Sequence, residues 1–333
     1  MIKVFEMFSG YGGASFALRK ANIDFQTIGF SEIDSVAIKC YQNNFPHVTN
    51  YGDCKKINPQ KLPDFNLLTA GFPCQPFSGA GKHQGAIDTR GTLFYDIIRI
   101  AEFKQPEYIV LENVKGLTFK NHNHTLQIIL KEIIRIGYRV NYKILNSKDF
   151  GTPQNRERVI FLCQKNEIKK KILFPKKEIL TIFLKDLVLN NVPNKFYLSR
   201  KKIFFETDKY PEQDLTTTNN IVSVAIRNKN RSKHQHQGLK YGAYPIELHL
   251  RFNKDIGVSY AVKSASHEYM ISDLNLVNIR KLTPQESFRL MGFFNDEINL
   301  SGISQTGQYR LAGNGWDINM FSKIFKSFLN SEQ

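Results

Sequence analysis

Apolar segments of strand length alternate with amphipathic segments of helix length over residues 1–163. The strand-like segments read IKVFEMF, FQTIGF, NLLTAGF, EYIVLENV, NYKILNS and RVIFLCQ. The helix-like segments read GGASFALRKAN, DSVAIKCYQNNF, TLFYDIIRIAEF and HTLQIILKEIIRIG. This alternation predicts an α/β fold, with a parallel sheet covered by helices on both faces. Ligands of such sheets bind beyond the carboxyl ends of the strands.

The pattern changes near Lys165. Residues 165–278 are rich in Lys and Asn, with short β-like runs such as IVSVAI and GVSYAV, and predict a separate, irregular, strand-containing domain. The run TPQE is a strong helix start, with Thr283 as the N-cap and Glu286 completing a capping box. A final helix is predicted from about Asp317 to Leu329, and we expect its apolar face to pack on the first domain. That face comprises Ile318, Phe321, Ile324, Phe325 and Phe328.

Composition narrows the class of protein. The chain has 333 residues, 41% of them hydrophobic, which suffices for two domains with a sizeable core. It contains no apolar stretch of about 18 residues that would predict a membrane span, and its N-terminus does not resemble a signal peptide, which favours a cytoplasmic location. The cysteines, Cys40, Cys54, Cys74 and Cys163, form no Cys-x-x-Cys pair. We therefore expect neither a metal site nor disulfides.

Positive charge is concentrated in the middle of the chain. The formal net charge is +16, and residues 165–240 carry 17 Lys and Arg against 7 Asp and Glu. Such a segment is either a well-solvated surface or a face for a polyanion, because Lys and Arg bound to phosphates release counterions. Charge alone leaves both interpretations open.

A glycine-rich turn, FSGYGG at residues 8–13, follows the first predicted strand. Glycines permit a tight turn and a close approach of the backbone to a ligand. Glu32 ends the second strand, where a carboxylate can accept both ribose hydroxyls of a nucleoside, and Asp53 can accept from an adenine amino group. The spacing G-x-G-G differs from the G-x-G-x-x-G of dinucleotide binders, so a pyrophosphate is not expected. The alternative is a structural turn with ordinary surface acids.

Two neighbouring strand ends carry a thiol and a carboxylate. Cys74 follows NLLTAGF within GFPCQPFS, and its flanking prolines and polar loop favour a reactive thiol over a buried inert one. Residues 78–92 form a glycine-rich, basic segment that we expect to close over a ligand. Glu112 ends the strand EYIVLENV, which favours a site residue over a surface acid. In QNRER, Arg156 and Arg158 share one face of a strand and point at an anion, at a base edge or into solvent.

Together these motifs resemble those of the DNA (cytosine-5)-methyltransferase family. In the order of that family, the chain contains FSGYGG, SEID, Gly52-Asp53, GFPCQPFS, ENV, QNRER, RKLTPQE and QYRLAGNG. The matches cover about residues 1–163 and 279–320, and several motifs in order are far more specific than any one of them.

The resemblance implies a domain organisation and partners. A Rossmann-like, S-adenosylmethionine-dependent catalytic domain would comprise residues 1–178 and 306–333. A smaller, irregular, strand-containing target-recognition domain would comprise residues 179–278, and residues 279–305 would be a connecting hinge segment. Double-stranded DNA is the expected partner of a monomeric enzyme. The compact length favours a prokaryotic or phage modification enzyme, with a functionally paired restriction endonuclease as a further expectation.

The resemblance also implies roles for single residues. Cys74 resembles the nucleophile, Glu112 the residue that contacts nitrogen 3 of cytosine, and Asn113 the residue that supports the loop around it. Arg156 and Arg158 resemble base and active-site contacts. The implied cofactor contacts are Phe8, Gly10, Tyr11, Gly12, Gly13, Glu32, Ile33, Asp53, Cys54, Pro73, Leu93 and Asn314. The implied DNA contacts are Gln75, Ser78, Lys82 and Arg90.

The chemistry implied by the family explains these residue types. Carbon 5 of cytosine is a poor nucleophile, and a thiolate that adds to carbon 6 turns the ring into an enamine. Nearby positive charge favours the thiolate, and Glu112 stabilises charge at nitrogen 3. A base that the sequence does not identify must remove the proton from carbon 5 so that Cys74 can leave. In a duplex, the cytosine must first flip out of the stack.

Two features depart from the family pattern. The last motif reads Gly313-Asn314-Gly315-Trp316, where the family often has a small hydroxyl residue and then an aliphatic one after Gly-Asn. The Thr-Leu pair that is common in the recognition domain is absent from GVSYAVKSAS, so target contacts cannot be transferred.

Three alternative functions are open to such a chain. One branch of the family modifies tRNA, but it usually carries a late Cys-Phe-Thr signature, and no cysteine follows Cys163. A DNA-binding relative without catalysis is disfavoured by the presence of Cys74 and Glu112. A nicotinamide oxidoreductase is disfavoured by the G-x-G-G spacing and the Pro-Cys-Gln segment.

Overall fold

The computed structural model describes residues 1–73, 93–169, 172–197, 203–205, 221–228, 248–252, 258–262, 269–273 and 279–329. The strands are β1 (Ile2–Met7), β2 (Phe25–Ser31), β3 (Leu67–Gly71), β4 (Tyr108–Val114), β5 (Tyr138–Asn146), β6 (Gln154–Asn155), β7 (Glu157–Lys165), β8 (Ile203–Phe205), β9 (Ile221–Asn228), β10 (Leu248–Phe252), β11 (Ser259–Tyr260), β12 (Tyr269–Asp273) and β13 (Arg280–Lys281). The helices are α1 (Gly13–Lys20), α2 (Ser35–Asn44), α3 (Leu93–Lys104), α4 (Asn123–Arg135), α5 (Leu184–Leu187), α6 (Pro284–Arg289), α7 (Gln305–Asn314) and α8 (Ile318–Leu329).

The larger sheet has the strand order β2-β1-β3-β4-β7-β5. Strands β1 to β4 run parallel, which confirms the α/β class and the Rossmann-like arrangement. Strand β7 is antiparallel to both β4 and β5, so the prediction of a wholly parallel sheet is wrong at this edge. The physical reason is the connection from β5 to β7, residues 147–156, which contains no α-helix. A parallel crossover needs a dozen or more residues, usually with a helix.

Alternate side chains of the central strands enter two apolar cores, because successive residues of a strand point to opposite faces. On one face, Val4, Leu67 and Val110 pack with residues of α1, α2 and α8. On the other face, Phe5 and Leu68, among others, pack with residues of α3 and α4. The prediction of helices on both faces is confirmed.

The last helix, α8, packs on the first core as expected from its apolar face. Phe321, Ile324, Phe325 and Phe328 are buried there, and the Phe328 ring lies 5.2 Å from the Tyr108 ring between centroids. Burial of each such phenylalanine stabilises the fold by about 1.5–3 kcal/mol. None of the helices in the described ranges is both long and apolar enough to cross a bilayer.

A second sheet, of order β13-β12-β9-β10-β8, combines four strands of the segment predicted to be irregular and strand-containing with β13, which follows that segment. Strand β9 contains the run IVSVAI, as predicted, and pairs antiparallel with β10 and β12. The run GVSYAV contributes only β11, which pairs parallel with β6. Val262, just after β11, donates its backbone N–H to the Gln154 side chain at 2.9 Å. These contacts join β11 and Val262 to β6, which precedes β7 of the larger sheet.

A buried ion pair connects the second sheet to α6. Thr283 caps α6 in the predicted capping box with Glu286. The same Glu286 carboxylate accepts two hydrogen bonds from Arg280, at 2.6 and 2.8 Å. Arg280 and Glu286 are only 6% and 1% exposed. Removal of one partner from such a pair leaves the other charge buried and uncompensated.

We therefore expect Arg280→Ala to lower the free energy of unfolding by about 3–5 kcal/mol. The measurement is the midpoint of urea denaturation. The matched control is Arg289→Ala, which removes a more exposed ion pair with Asp296. That variant should lose about 1 kcal/mol or less. Equal losses in the two variants would contradict a special contribution from the buried pair.

Candidate active site

The glycine-rich turn between β1 and α1 has the left-handed backbone that glycine favours. Gly10 and Gly12 have φ angles of 56° and 91°, and Gly12 is the N-cap of α1. A Cβ at Gly12 would lie 2.9 Å from the Phe45 ring, so only glycine fits there. Gly10 faces open space and donates its backbone N–H to Oε2 of Glu32 at 3.0 Å. The turn and the end of β2 therefore meet at one edge of the sheet, as the sequence predicted.

A buried carboxyl group lies beneath this turn. Glu6, in β1, accepts hydrogen bonds from the Ala14 backbone N–H, from Ser15 and from Tyr41. Burial raises the pKa of the Glu6 carboxyl, and these hydrogen bonds lower it by less. Glu6 was not predicted as a site residue, although an acid within an apolar run just before a glycine turn is an available signal.

The raised pKa of Glu6 predicts a dependence of stability on pH. The neutral form is favoured in the folded protein, so the stabilisation is complete below the ordinary value of 4.5 and is lost as pH rises through the raised folded pKa. Glu6→Gln removes this titration. We expect the free energy of unfolding of the variant, relative to the wild type, to increase as pH rises above 4.5.

Urea denaturation at a series of pH values measures this difference. The control is Glu102→Gln, because a hydrogen bond from Arg135 lowers the pKa of Glu102. The stability contributed by Glu102 is present above the unfolded pKa and is lost as pH falls, so the control should show the opposite trend. A difference for Glu6→Gln that stays constant with pH would refute the prediction.

The ends of β3 and β4 lie side by side, with Gly71 paired to Glu112 in the parallel register. Oε1 of Glu112 forms an ion pair of 2.8 Å with Nε of Arg158, in the adjacent strand β7. Asn113 donates its side-chain N–H to the backbone oxygen of Phe72 at 3.0 Å, joining the two strand ends. The segment that leads into Cys74 is therefore anchored beside Glu112.

Arg156 is buried and contacts the backbone. It donates to the carbonyl oxygens of Gly315 at 2.7 Å, Gly313 at 3.2 Å and Val262 at 3.1 Å. Burial, and then the charge of Arg158, lower the pKa of the Arg156 guanidinium to about 9. Arg156 thus links the last motif and the segment after β11 to the larger sheet.

A cleft of about 390 Å³ brings many of the predicted site residues together. Those that line it are Phe8, Gly10, Glu32, Pro73, Glu112, Asn113, Arg156, Arg158 and Asn314. Phe72, Arg310 and Gly315 also line it, and the sequence analysis did not single them out as site residues. A smaller recess of about 30 Å³ adjoins the cleft and is lined by residues that include Ser9, Gly13 and Trp316. Phe8, Gly10, Gly71, Asn314 and Gly315 line both.

Other predicted cofactor contacts line neither cavity. The Tyr11 ring lies in the core, and its centroid is 5.7 Å from that of the Phe288 ring. Cys54 also lies in a core, where burial raises the pKa of its thiol to about 11. Asp53 caps a short turn through the Lys55 backbone N–H. Three more also lie outside the two cavities: Gly12, Leu93, which begins α3, and Ile33, which is 73% exposed.

Several predicted residues lie outside the described part of the chain: Cys74, Gln75, Ser78, Lys82 and Arg90. Within the described part, no group of three or more His, Cys, Asp or Glu side chains could hold a metal ion.

Comparison with known proteins identifies similar chains. The family model for C-5 cytosine-specific DNA methylase matches residues 2–330. The chain is 34% identical to the type II methyltransferase M.NlaX of Neisseria lactamica, over 94% of this chain and 92% of that protein. It is 28% identical to the orphan methyltransferase M.SPRI of Bacillus phage SPR, over 99% of this chain and 98% of that protein.

Solved structures support the fold. A DNMT2 mutant of Spodoptera frugiperda superposes with a TM-score of 0.67 and 20% identity, covering 99% of this chain and 100% of that one. A putative DNA modification methyltransferase encoded within an E. coli prophage gives a TM-score of 0.67 at 20% identity, covering 99% of both chains.

Proposed function

The chain belongs to the C-5 cytosine-specific DNA methylase family and is a DNA cytosine-5 methyltransferase, and from that premise we propose the details of its reaction. The methyl group comes from S-adenosyl-L-methionine. The acceptor is a cytosine flipped out of duplex DNA within a short specific sequence. The reaction passes through a covalent adduct between Cys74 and the base.

The observation that carries this proposal is the Glu112–Arg158 ion pair at the end of β4. The pair lines a cleft together with Pro73, the residue before Cys74. Oε1 is the oxygen of Glu112 that pairs with Nε of Arg158, so Oε2 can face a base. The cleft therefore presents the Glu112 carboxyl group, paired with Arg158, beside the segment that leads into Cys74. This arrangement suits attack of a thiol on a pyrimidine ring.

In the proposed reaction, Sγ of Cys74 bonds to carbon 6 of cytosine, and carbon 5 becomes nucleophilic. Glu112 contacts nitrogen 3 and stabilises the charge that develops there, while Arg158 holds Glu112 in position. S-adenosyl-L-methionine, when bound, supplies an electrophilic methyl group on a positively charged sulfur. After methylation, loss of the proton from carbon 5 allows the bond between Sγ and carbon 6 to break.

The residues at the other end of the cleft fit such a cofactor. Glu32 retains one lone-pair site, on Oε2, for a ribose hydroxyl, because within the described residues its two oxygens accept three backbone N–H groups, of Gly10, Ile33 and Asp34. Ser9 Oγ is buried without a hydrogen-bond partner among the described residues, and Ser9 lines the small recess. An unpaired buried hydroxyl is costly unless a ligand or water satisfies it.

We further propose that residues 1–178 and 306–333 form the catalytic domain and that the basic residues 179–278 recognise the target sequence, joined by residues 279–305. The enzyme acts as a monomer in the cytoplasm. Curated relatives named type II methyltransferases support a role in modification, with a functionally paired restriction endonuclease as the proposed partner.

Purified protein with labelled S-adenosylmethionine tests the proposal on duplex DNA and on tRNA. We expect label in duplex DNA only, and bisulfite sequencing should locate it in one short sequence. Label in tRNA alone would overturn the substrate. Binding of DNA without transfer would favour a non-catalytic relative. Failure to bind S-adenosylhomocysteine in calorimetry would overturn the cofactor.

A further inference from the structure

Trp316 occupies a position that the chemistry proposed above does not use. It follows α7 and precedes α8, at the point where the last motif departs from the family pattern. Its side chain is only 8% exposed and forms part of the wall of the small recess beside Ser9 and Asn314.

The orientation of Trp316 is held from several sides. Its ring stacks on Phe321 of α8, with 3.8 Å between centroids and 11° between planes. Its backbone oxygen accepts a hydrogen bond from the Tyr11 hydroxyl. The adjacent Gly315 must be glycine, because a Cβ there would overlap the Tyr11 ring. Tyr11 therefore fills the space that a side chain at position 315 would need, and it holds the Trp316 backbone through this hydrogen bond.

The edge of the indole lies between the cofactor turn and the base site. A Cβ on Gly13 would lie 3.0 Å from Cβ of Trp316, and a Cβ on Gly71 would lie 2.8 Å from Nε1 of Trp316. Oε2 of Glu112 lies 3.3 Å from that same point above Gly71. The indole edge and the Glu112 carboxyl thus flank one end of β3. Glycine at positions 13 and 71 makes room for the ring.

The recess beside the indole is small. Its volume of about 30 Å³ compares with about 10–15 Å³ needed for a single water. The recess therefore has room for about two water-sized groups, such as a sulfur and the methyl group it carries, and a larger group would press against the indole.

From these contacts we propose that Trp316 is a specificity-determining residue, which limits the group carried by the sulfur of the adenosyl donor to the size of a methyl. This inference rests on the proposed function of the cleft. In a site that fits its ligand closely, one extra methylene is worth about 10–200-fold in discrimination. Replacement of the indole by a smaller side chain should remove that discrimination and leave recognition of adenosine unchanged.

Intrinsic fluorescence gives a readout that is independent of activity, because the chain contains 1 tryptophan. We expect S-adenosylhomocysteine to change the emission of Trp316, since its sulfur reaches the recess. Adenosine, bound at the Glu32 end of the cleft, should leave the emission unchanged. An equal response to the two ligands would overturn the proposed position of the indole.

The second measurement compares the dissociation constants of S-adenosylmethionine and its S-allyl analogue. The ratio of the analogue to the methyl compound should fall at least about 10-fold in Trp316→Val. Trp316→Phe keeps an aromatic ring beside Phe321 and should give a smaller fall. If Trp316→Val does not fold, Trp316→Phe provides the same comparison of dissociation constants. Phe325→Leu, a core change in α8 outside both cavities, is the matched control and should leave the ratio unchanged.

The outcomes separate this inference from the proposed function. An unchanged ratio in a folded Trp316→Val or Trp316→Phe variant that binds adenosine normally would overturn the role of Trp316 alone. Failure of the wild type to bind any adenosyl compound would overturn the cofactor assignment on which the inference rests.

Discussion

Replacement of Cys74 by serine is expected to lower the rate of methyl transfer to duplex DNA by a factor on the order of 10⁴ or more. A serine hydroxyl is far less acidic than a thiol, so the addition to carbon 6 is lost while the size of the side chain is nearly conserved. The same change should abolish trapping on DNA that contains 5-fluorocytosine. Fluorine at carbon 5 cannot leave as a proton, so the wild type should remain covalently bound to it.

A cysteine control distinguishes loss of the nucleophile from a general effect of thiol removal. Cys40 is buried in α2, and burial raises the pKa of its thiol to about 12. Cys40→Ala should therefore retain both transfer and trapping. Gel electrophoresis under denaturing conditions detects the trapped complex. If Cys74→Ser still formed it, the nucleophile would have to be another group.

The alternation of strands and helices could be predicted because the burial of neighbouring residues determines the apolar pattern of each segment. In β1, Val4 faces one core, and Phe5 and Met7 face the other, so apart from Lys3 and Glu6 the run reads as apolar. The direction of β7 is not local information. The apolar pattern of β7 is compatible with either strand direction. Only the lack of an α-helix in residues 147–156 indicates that β7 runs antiparallel to β5.

The sequence predicted those site residues that lie at or near the ends of strands. Glu32 directly follows β2 and Glu112 lies near the end of β4, and both line the cleft. Within the glycine turn the motif does not tell which side chain faces a ligand. Gly10 lines the cleft, whereas the Tyr11 ring packs against Phe288 and Phe293, because the turn rotates neighbouring residues to opposite sides.

Residues distant in the chain could not be assigned from sequence alone. Arg156 was predicted to contact the active site, and it lines the cleft, but its donors reach the carbonyl oxygens of Gly313 and Gly315. Trp316 lines the recess, and its backbone is held by a hydrogen bond from Tyr11, which is 305 residues away in the sequence. Such packing depends on tertiary contacts that a motif does not contain.

Glu112→Gln is expected to lower the rate of methyl transfer in single turnovers by about 10²–10³-fold, with a smaller change in the affinity for DNA. Glutamine has nearly the same shape and still forms hydrogen bonds, but it cannot exchange a proton with nitrogen 3. Loss of stabilisation that exists only in the transition state lowers the rate more than the affinity. The measurement is label transfer at saturating DNA and S-adenosylmethionine.

A double-mutant cycle with Arg158 tests whether the two residues act together. Arg158 forms an ion pair with the Glu112 carboxylate and donates a hydrogen bond to the backbone oxygen of Glu157. Arg158→Ala alone should slow transfer because Glu112 is no longer held, and in the Glu112→Gln background it should add little. Arg135→Ala, which removes an exposed pair with Glu102, is the control and should leave the rate unchanged. Fully additive losses would mean that Arg158 contacts the DNA or the base directly, because a group that acts only through Glu112 has no effect of its own once the carboxylate is gone.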